Sequence, residues 1–424
     1  MITQSAKIAD GVNINYIKTD KFKSNFISFS FITKVDKERV ALNALLSRVL
    51  CRGSQNYPSQ AKIDKKLQYL YSSRIGTRND TLGEFQIFGL VADVLNDKYT
   101  LGTPVTDEIL DLICDIVFNP YLENGAFSEQ YTESEKSNLI DAINAEINNK
   151  TKYANSRCIG EMCKNEIFSI KKTGTAEDVE KITPKSLFEA YKRILKECRI
   201  EIYAVGDMDI NKITNKFKTH FNDITREVEK IEKESIVRRA DSANEVLETQ
   251  NVKQGKLAMG FRIGKTIEDG NHHITRLFSE VFGGSPTSKL FTNVREKMSL
   301  CYYCYSLTNQ RNGVLLVSAG IECENKEIAQ NAILEQLESI KNGKITPEEL
   351  ESAKKSLKNS FMHVYDSPEG MQSWSLYRML SGDYSTPMQE ATKTDATTVD
   401  EIANLAKGIT LDTVYFLKGE TVNG

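Results

Sequence analysis

Between Asn43 and Ser54 the chain reads NALLSRVLCRGS, an amphipathic helix that runs out at a glycine. At about 100° per residue, Leu42, Leu45, Leu46, Val49 and Leu50 form one apolar stripe. Ala44, Ser47 and Arg48 fall on the opposite side, which is expected to face away from the core. Positions 44 and 48 lie one turn apart with 47 between them, the geometry by which a helix presents two metal ligands and an adjacent base. Alanine, serine and arginine supply neither ligand nor base. The four histidines, His220, His272, His273 and His363, have no acidic partner at metal-helix spacing and suggest surface or capping roles. Cys301-x-x-Cys304 has a metal-like spacing, but it sits in LCYYCYSL, which alternates as a strand. With no second CxxC, a buried pair of thiols is the expected outcome. FGGSPTSKLF is glycine-rich without the spacing of a phosphate-binding loop and reads as a turn into a helix.

The elements that position these residues occur twice. An apolar strand, FISFSFIT, precedes the opening helix; then come a hairpin, IGTRNDTLGEFQIFGLVADVL, a helix, DEILDLICDIVF, a long polar helix from about Ser128, and a terminal helix with its strand. The second half repeats the order with KLAMGFRIG, a helix through HHITRLFSEVFGG, a hairpin turning at Asn312-Gly313, the helix KEIAQNAILEQLESI, a long helix from Pro347 and a last helix with strand. Thr183-Pro184, Thr346-Pro347 and Thr398-x-x-Glu401 mark helix starts. The charged stretch 225–250 reads as a linker. The expected organisation is therefore two tandem α+β domains, 1–224 and 251–424, each an antiparallel sheet with helices packed on one face.

On these residues the chain resembles the pitrilysin and mitochondrial processing peptidase superfamily, the inverzincins, whose opening helix carries H-x-x-E-H shortly before Gly-Thr or Gly-Ser. Aligned on the glycine, the two histidines fall on Ala44 and Arg48 and the glutamate on Ser47. The family's third ligand, a glutamate on a later helix, has its nearest match at Glu146. The run FGGSPTSKLFTNVREKMSLCYYCYS is similar to the family's second-half pattern at Gly283, Gly284, Ser288, Leu290, Phe291, Arg295, Glu296, Lys297, Leu300 and Tyr302.

In two-subunit bacterial members, one subunit carries the zinc and the other supplies an arginine and a tyrosine seven residues apart. Arg295 and Tyr302 have that spacing, so the resemblance implies a metal-free subunit, inactive alone, that binds peptide beside a related zinc-bearing partner. A guanidinium fork and a phenol suit a peptide carbonyl or the oxyanion formed from it. The structural alternative is that Arg295 satisfies helix carbonyls and Tyr302 fills the core. A scaffold without catalytic part, as in subunits of respiratory complexes of this family, is the second functional class; a homodimer is open to the isolated chain.

Composition narrows the field further. In 424 residues, 55 basic and 58 acidic residues are interspersed to a formal charge of −3, which leaves no electrostatic footprint for nucleic acid or a membrane surface. MITQSAKIADGVNINY lacks the basic start and apolar core of a signal peptide, so a cytoplasmic protein is expected. No cofactor of its own is expected, the zinc belonging to the partner.

Overall fold

The computed structural model describes residues 1–233, 235–270 and 272–419. The chain forms two compact units that are discontinuous in sequence. Unit 1 comprises Met1–Asn144, Ile170–Lys233 and Tyr365–Tyr377; unit 2 comprises Ala145–Ser169, Glu234–Val364 and Arg378–Gly424. Each half of the chain thus lends a segment to the unit built mainly from the other half.

Unit 1 contains β1 (Gln4–Ala9), β2 (Val12–Lys18), β3 (Ser24–Lys34), β4 (Arg74–Leu82), β5 (Phe85–Leu95), the two-residue strands β6 (Leu122–Glu123) and β7 (Ala126–Phe127), and β8 (Arg199–Gly206). Six of them form a sheet in the order β1-β2-β8-β3-β5-β4. Unit 2 contains β9 (Asn244–Gln250), β10 (Gly255–Arg262), β11 (Cys301–Asn309), β12 (Val314–Ile321) and β13 (Thr410–Gly419), ordered β11-β12-β10-β13-β9. Read from opposite ends, β2-β8-β3-β5-β4 and β9-β13-β10-β12-β11 are one topology, so the repeat in the sequence is a repeat in the fold.

The sheets are antiparallel except for one pair in each, β2 with β8 and β9 with β13. In unit 1, β8 is antiparallel to β3 and parallel to β2. A strand slotted between two that run oppositely has to be parallel to one of them. β9 occupies residues expected to be linker. Its sequence NEVLETQ alternates too weakly and carries too much charge to announce a strand, yet an edge position with one solvated side accepts such a pattern.

Helix starts follow the local chemistry. Thr183, Thr346 and Thr398 each accept a hydrogen bond from the third residue of their helices and close a capping box, with Pro184 and Pro347 in the first turn. Such caps are worth about 1 kcal/mol each. The sheet of unit 1 packs its apolar face, including Phe29, Phe31 and Phe88, against the helices Val40–Leu50, Val105–Phe118 and Pro184–Glu197. In unit 2 the helix Lys150–Met162, from the first half of the chain, lies on the sheet face that carries Ala258, Leu316, Tyr415 and Leu417. Gly260 permits this close approach: a methyl group there would come within 2.5 Å of the Met162 sulfur. Among the described residues no helix is long and apolar enough to cross a membrane.

Candidate functional site

The opening helix, Val40–Leu50, is buried on nearly every side. Ala44 is 3% exposed and Ser47 1%. The face expected to point away from the core is instead covered, because the helix contacts both β4 and β5 and the helices Glu129–Asn144, Ala176–Glu180 and Pro184–Glu197. Sequence periodicity distinguishes apolar from polar faces, but small residues such as alanine and serine are what a helix buried on two sides uses where neighbours come close.

Only Arg48 of the three motif positions reaches a charged group. Its Nε donates to Glu135 Oε2 at 2.9 Å, and Arg52 Nη1 donates to Glu135 Oε1 at 3.3 Å. Glu135, with a side chain 9% exposed, is therefore clamped between two guanidinium groups. The Ser47 hydroxyl is buried without a partner among the described residues. Zinc does not fit here. One carboxylate already neutralised by two arginines, with an alanine and a serine beside it, gives neither the ligand number nor the charge that the ion requires. Glu146 lies in the short turn Ala145–Asn148, which belongs to unit 2, whereas the carboxylate that meets Arg48 is Glu135. Glu135 had no sequence signal beyond its place on a polar helix, since its partners are more than eighty residues away.

Arg295 stands in the last turn of the π-helical segment Leu290–Lys297, and Tyr302 follows at the start of β11. The chain reverses between them, with Ser299 in the left-handed region at φ +53°. The two residues meet side chain to backbone: Arg295 Nε donates to the Tyr302 carbonyl oxygen at 3.1 Å. The guanidinium stacks on Phe291, 4.4 Å from the ring centroid. The Tyr302 ring projects outwards, 57% exposed, and its hydroxyl donates to Glu322 Oε1 at 2.6 Å. That bond to a carboxylate raises the phenol above the usual tyrosine range. Tyr302 does not fill the core, so that half of the structural alternative is set aside.

A denser ionic cluster lies in unit 2 at the helix His272–Ser279, which occupies the place after β10 that the opening helix occupies after β3. His272 is buried, not on the surface as its sequence context suggests, because its Nε2 is in contact with Glu390 and lies 3.7 Å from Asp383. Arg378 bridges both carboxylates, at 2.8 Å to Asp383 and 3.0 Å to Glu390, and Lys393 reaches Glu390 at 2.9 Å. Burial alone would raise the Glu390 carboxyl; the His272 and Lys393 contacts and the Arg378 charge reverse this and hold it well below the usual range. His272, Asp383 and Glu390 could offer three ligand atoms within 4.8 Å of one another. Arg378 and Lys393 already supply the positive charge that a cation would bring, so the cluster reads as a structural ion network.

Residues 181–357 match the model of a family described as the peptidase M16 inactive domain. Over 411 residues the chain is 33% identical to the probable inactive metalloprotease YmfF of Bacillus subtilis (strain 168), with 96% of each protein covered. The structure of a conserved protein from Enterococcus faecalis V583 has a TM-score of 0.93 at 28% identity, covering 99% of both chains. A chain in the structure of complex III2 from Candida albicans, with Inz-5 bound, shares the fold at a TM-score of 0.72 and 15% identity, covering 96% of this chain and 94% of that one. The duplicated sheet topology, the match to the inactive-domain model and the full-length similarity to an M16 homologue converge: this chain belongs to the M16 peptidase family of the pitrilysin-like superfamily.

Proposed function

We propose that the chain is a catalytically incomplete subunit that complements a zinc-bearing relative in hydrolysing peptides or small proteins, and that it has no peptidase activity alone. The observation that carries this reading is the exposed Tyr302 held beside Arg295 on the edge strand of unit 2. An edge strand offers unpaired backbone groups to an extended peptide, and a phenol and guanidinium at its start are donors that suit a substrate carbonyl as charge develops on it. The clamped Glu135 and the residues at 44, 47 and 48 support the other half of the reading, since the opening helix has no means of activating water. On this reading unit 1 carries the degenerate motif, unit 2 carries the arginine-tyrosine pair, and the protein works as a cytoplasmic heterodimer.

The second reading is a non-catalytic scaffold. It is favoured by one observation: the Tyr302 hydroxyl and the Arg295 Nε both have partners within the chain, as structural residues would. The test is reconstitution with a relative that retains H-x-x-E-H. If the pair stabilises the transition state, Arg295→Ala or Tyr302→Phe lowers kcat by on the order of 10²–10³ while the assembled complex survives. Arg295→Lys rescues poorly because an ammonium lacks the planar fork. Full activity in both Arg295→Ala and Tyr302→Phe complexes leaves the scaffold.

A further inference from the structure

The register of β11 against β12 places two thiols together in a way that regular alternation would not. Cys301 pairs with Ile321 and Tyr303 with Gly320, so two steps along β11 correspond to one along β12, and Tyr302 is the extra residue of a β-bulge. Beyond the bulge Cys304 pairs with Ala319. Ile321 and Ala319 are two residues apart on a regular strand and share a face. Their partners Cys301 and Cys304 therefore share it too, although a spacing of three would put them on opposite faces of an unbroken strand. Tyr303 takes the other face, its ring so close over Gly320 that a methyl group there would lie 2.5 Å from Cε1. Cys301 and Cys304 are buried, 8% and 3% exposed, and both are free thiols. Cys301 directly follows the exposed turn 296–299 and half-buried Leu300 and is the more exposed of the two thiols.

We propose that Cys301 and Cys304 form a redox-active dithiol that a hydroperoxide converts to an intrachain disulfide across the Tyr302 bulge. The Cys301 sulfur attacks the O–O bond and takes one oxygen to become a sulfenic acid, while the hydroperoxide leaves as water or the alcohol. The Cys304 sulfur then attacks the sulfenic sulfur, the S–S bond forms, and the hydroxyl leaves with the Cys304 proton as water. Two thiols are oxidised by two electrons and one hydroperoxide is reduced. The neighbouring Cys304 thiol and the charge of Arg295 hold Cys301 below the ordinary thiol range against the opposing effect of burial, and Cys304 is raised in turn. The greater exposure of Cys301, next to the exposed turn, assigns it as the attacking sulfur and the more deeply buried Cys304 as the resolving one. The disulfide would lock the bulge that presents Tyr302 and so would couple the oxidation state to the pair in the proposed function, but its formation does not depend on that function.

The test uses the full chain alone. After exposure to hydrogen peroxide and denaturation, the peptide spanning both cysteines should be lighter by two hydrogens and unreactive towards iodoacetamide until a dithiol reductant is added. Cys301 should be consumed on the order of tenfold faster than Cys114, whose thiol burial pushes up to about 12. Cys304→Ser should stop at a Cys301 sulfenic acid that dimedone traps, and Cys301→Ser should leave Cys304 reduced. The proposal is overturned if wild-type protein keeps both thiols alkylatable after oxidation, if Cys301 is consumed no faster than Cys114, or if the two sulfurs end as unlinked sulfinic acids. Since these measurements need neither partner nor substrate, a loss of the peptidase reading leaves them intact.

Discussion

The helix after β3 and the helix after β10 occupy the same place in two copies of one topology, and each offers a basic side chain to a carboxylate from a later helix, with different burial around the pair. In unit 1 a single carboxylate, Glu135, faces Arg48 and Arg52, whose side chains are a third and a quarter exposed. In unit 2 Glu390, fully buried, meets His272, Arg378 and Lys393. In the first arrangement the carboxylate's partners are part-exposed, so water already screens them. In the second, Glu390, His272 and Arg378 are buried and only Lys393 reaches solvent, so removing Glu390 leaves the Arg378 charge buried with Asp383 as its remaining partner. Equivalent positions in a duplicated fold therefore carry different energetic weight, and burial decides which is indispensable.

That contrast can be broken by mutation. Glu390→Ala should cost about 3–5 kcal/mol in denaturant unfolding, because it strands buried positive charge, whereas Glu135→Ala should cost about 1–2 kcal/mol since its arginines can turn to solvent. Equal losses would show that the two clusters are equivalent after all.

Acid should separate the units in the same sense. The Glu390 carboxyl is depressed in the folded state, so its contribution is fully present above the ordinary value near 4.5 and declines as pH falls below it. Hydrogen exchange should show unit 2 opening before unit 1 as pH is lowered through 4.5, and Glu390→Gln should flatten that dependence. Opening of unit 1 first would mean that other carboxylates govern acid stability.

The metal can be used to sharpen the same point. The unmodified chain should take up no stoichiometric zinc at the opening helix. Ala44→His with Ser47→Glu and Arg48→His should gain zinc binding only while Glu135 remains a carboxylate, with little activity, since the residues around the ligands are not built to orient them. Metal analysis of the triple variant with and without Glu135→Gln decides this. The smallest effect is expected at Tyr303→Phe, which removes the 2.8 Å hydrogen bond to Thr151 and should cost about 0.5–1.5 kcal/mol without altering partner-dependent turnover.

What could be read in the sequence was local. Thr183, Thr346 and Thr398 announced their helices because a cap and its box lie within four residues, and the hairpins announced themselves by period-two alternation. The partners of Arg48 and His272 did not, because their carboxylates arrive from distant helices and no spacing encodes that. LCYYCYSL looks like an unbroken strand, so the bulge that brings Cys301 and Cys304 to one face was invisible until β12 supplied the register. The strand β9 was hidden for a related reason: an edge tolerates the charge and weak alternation that also describe a linker.

The reciprocal exchange of segments has a consequence for biosynthesis. Arg78 on β4 bonds Gln372 at 2.8 Å and Tyr377 at 2.7 Å, so unit 1 is complete only after the ribosome has delivered residues almost three hundred positions later. Unit 2 in turn waits with Lys150–Met162 already made and nothing to cover. Neither half cut at the central charged stretch carries all its own parts, so separately expressed halves should be insoluble alone and recover only when mixed, each acting as the other's template.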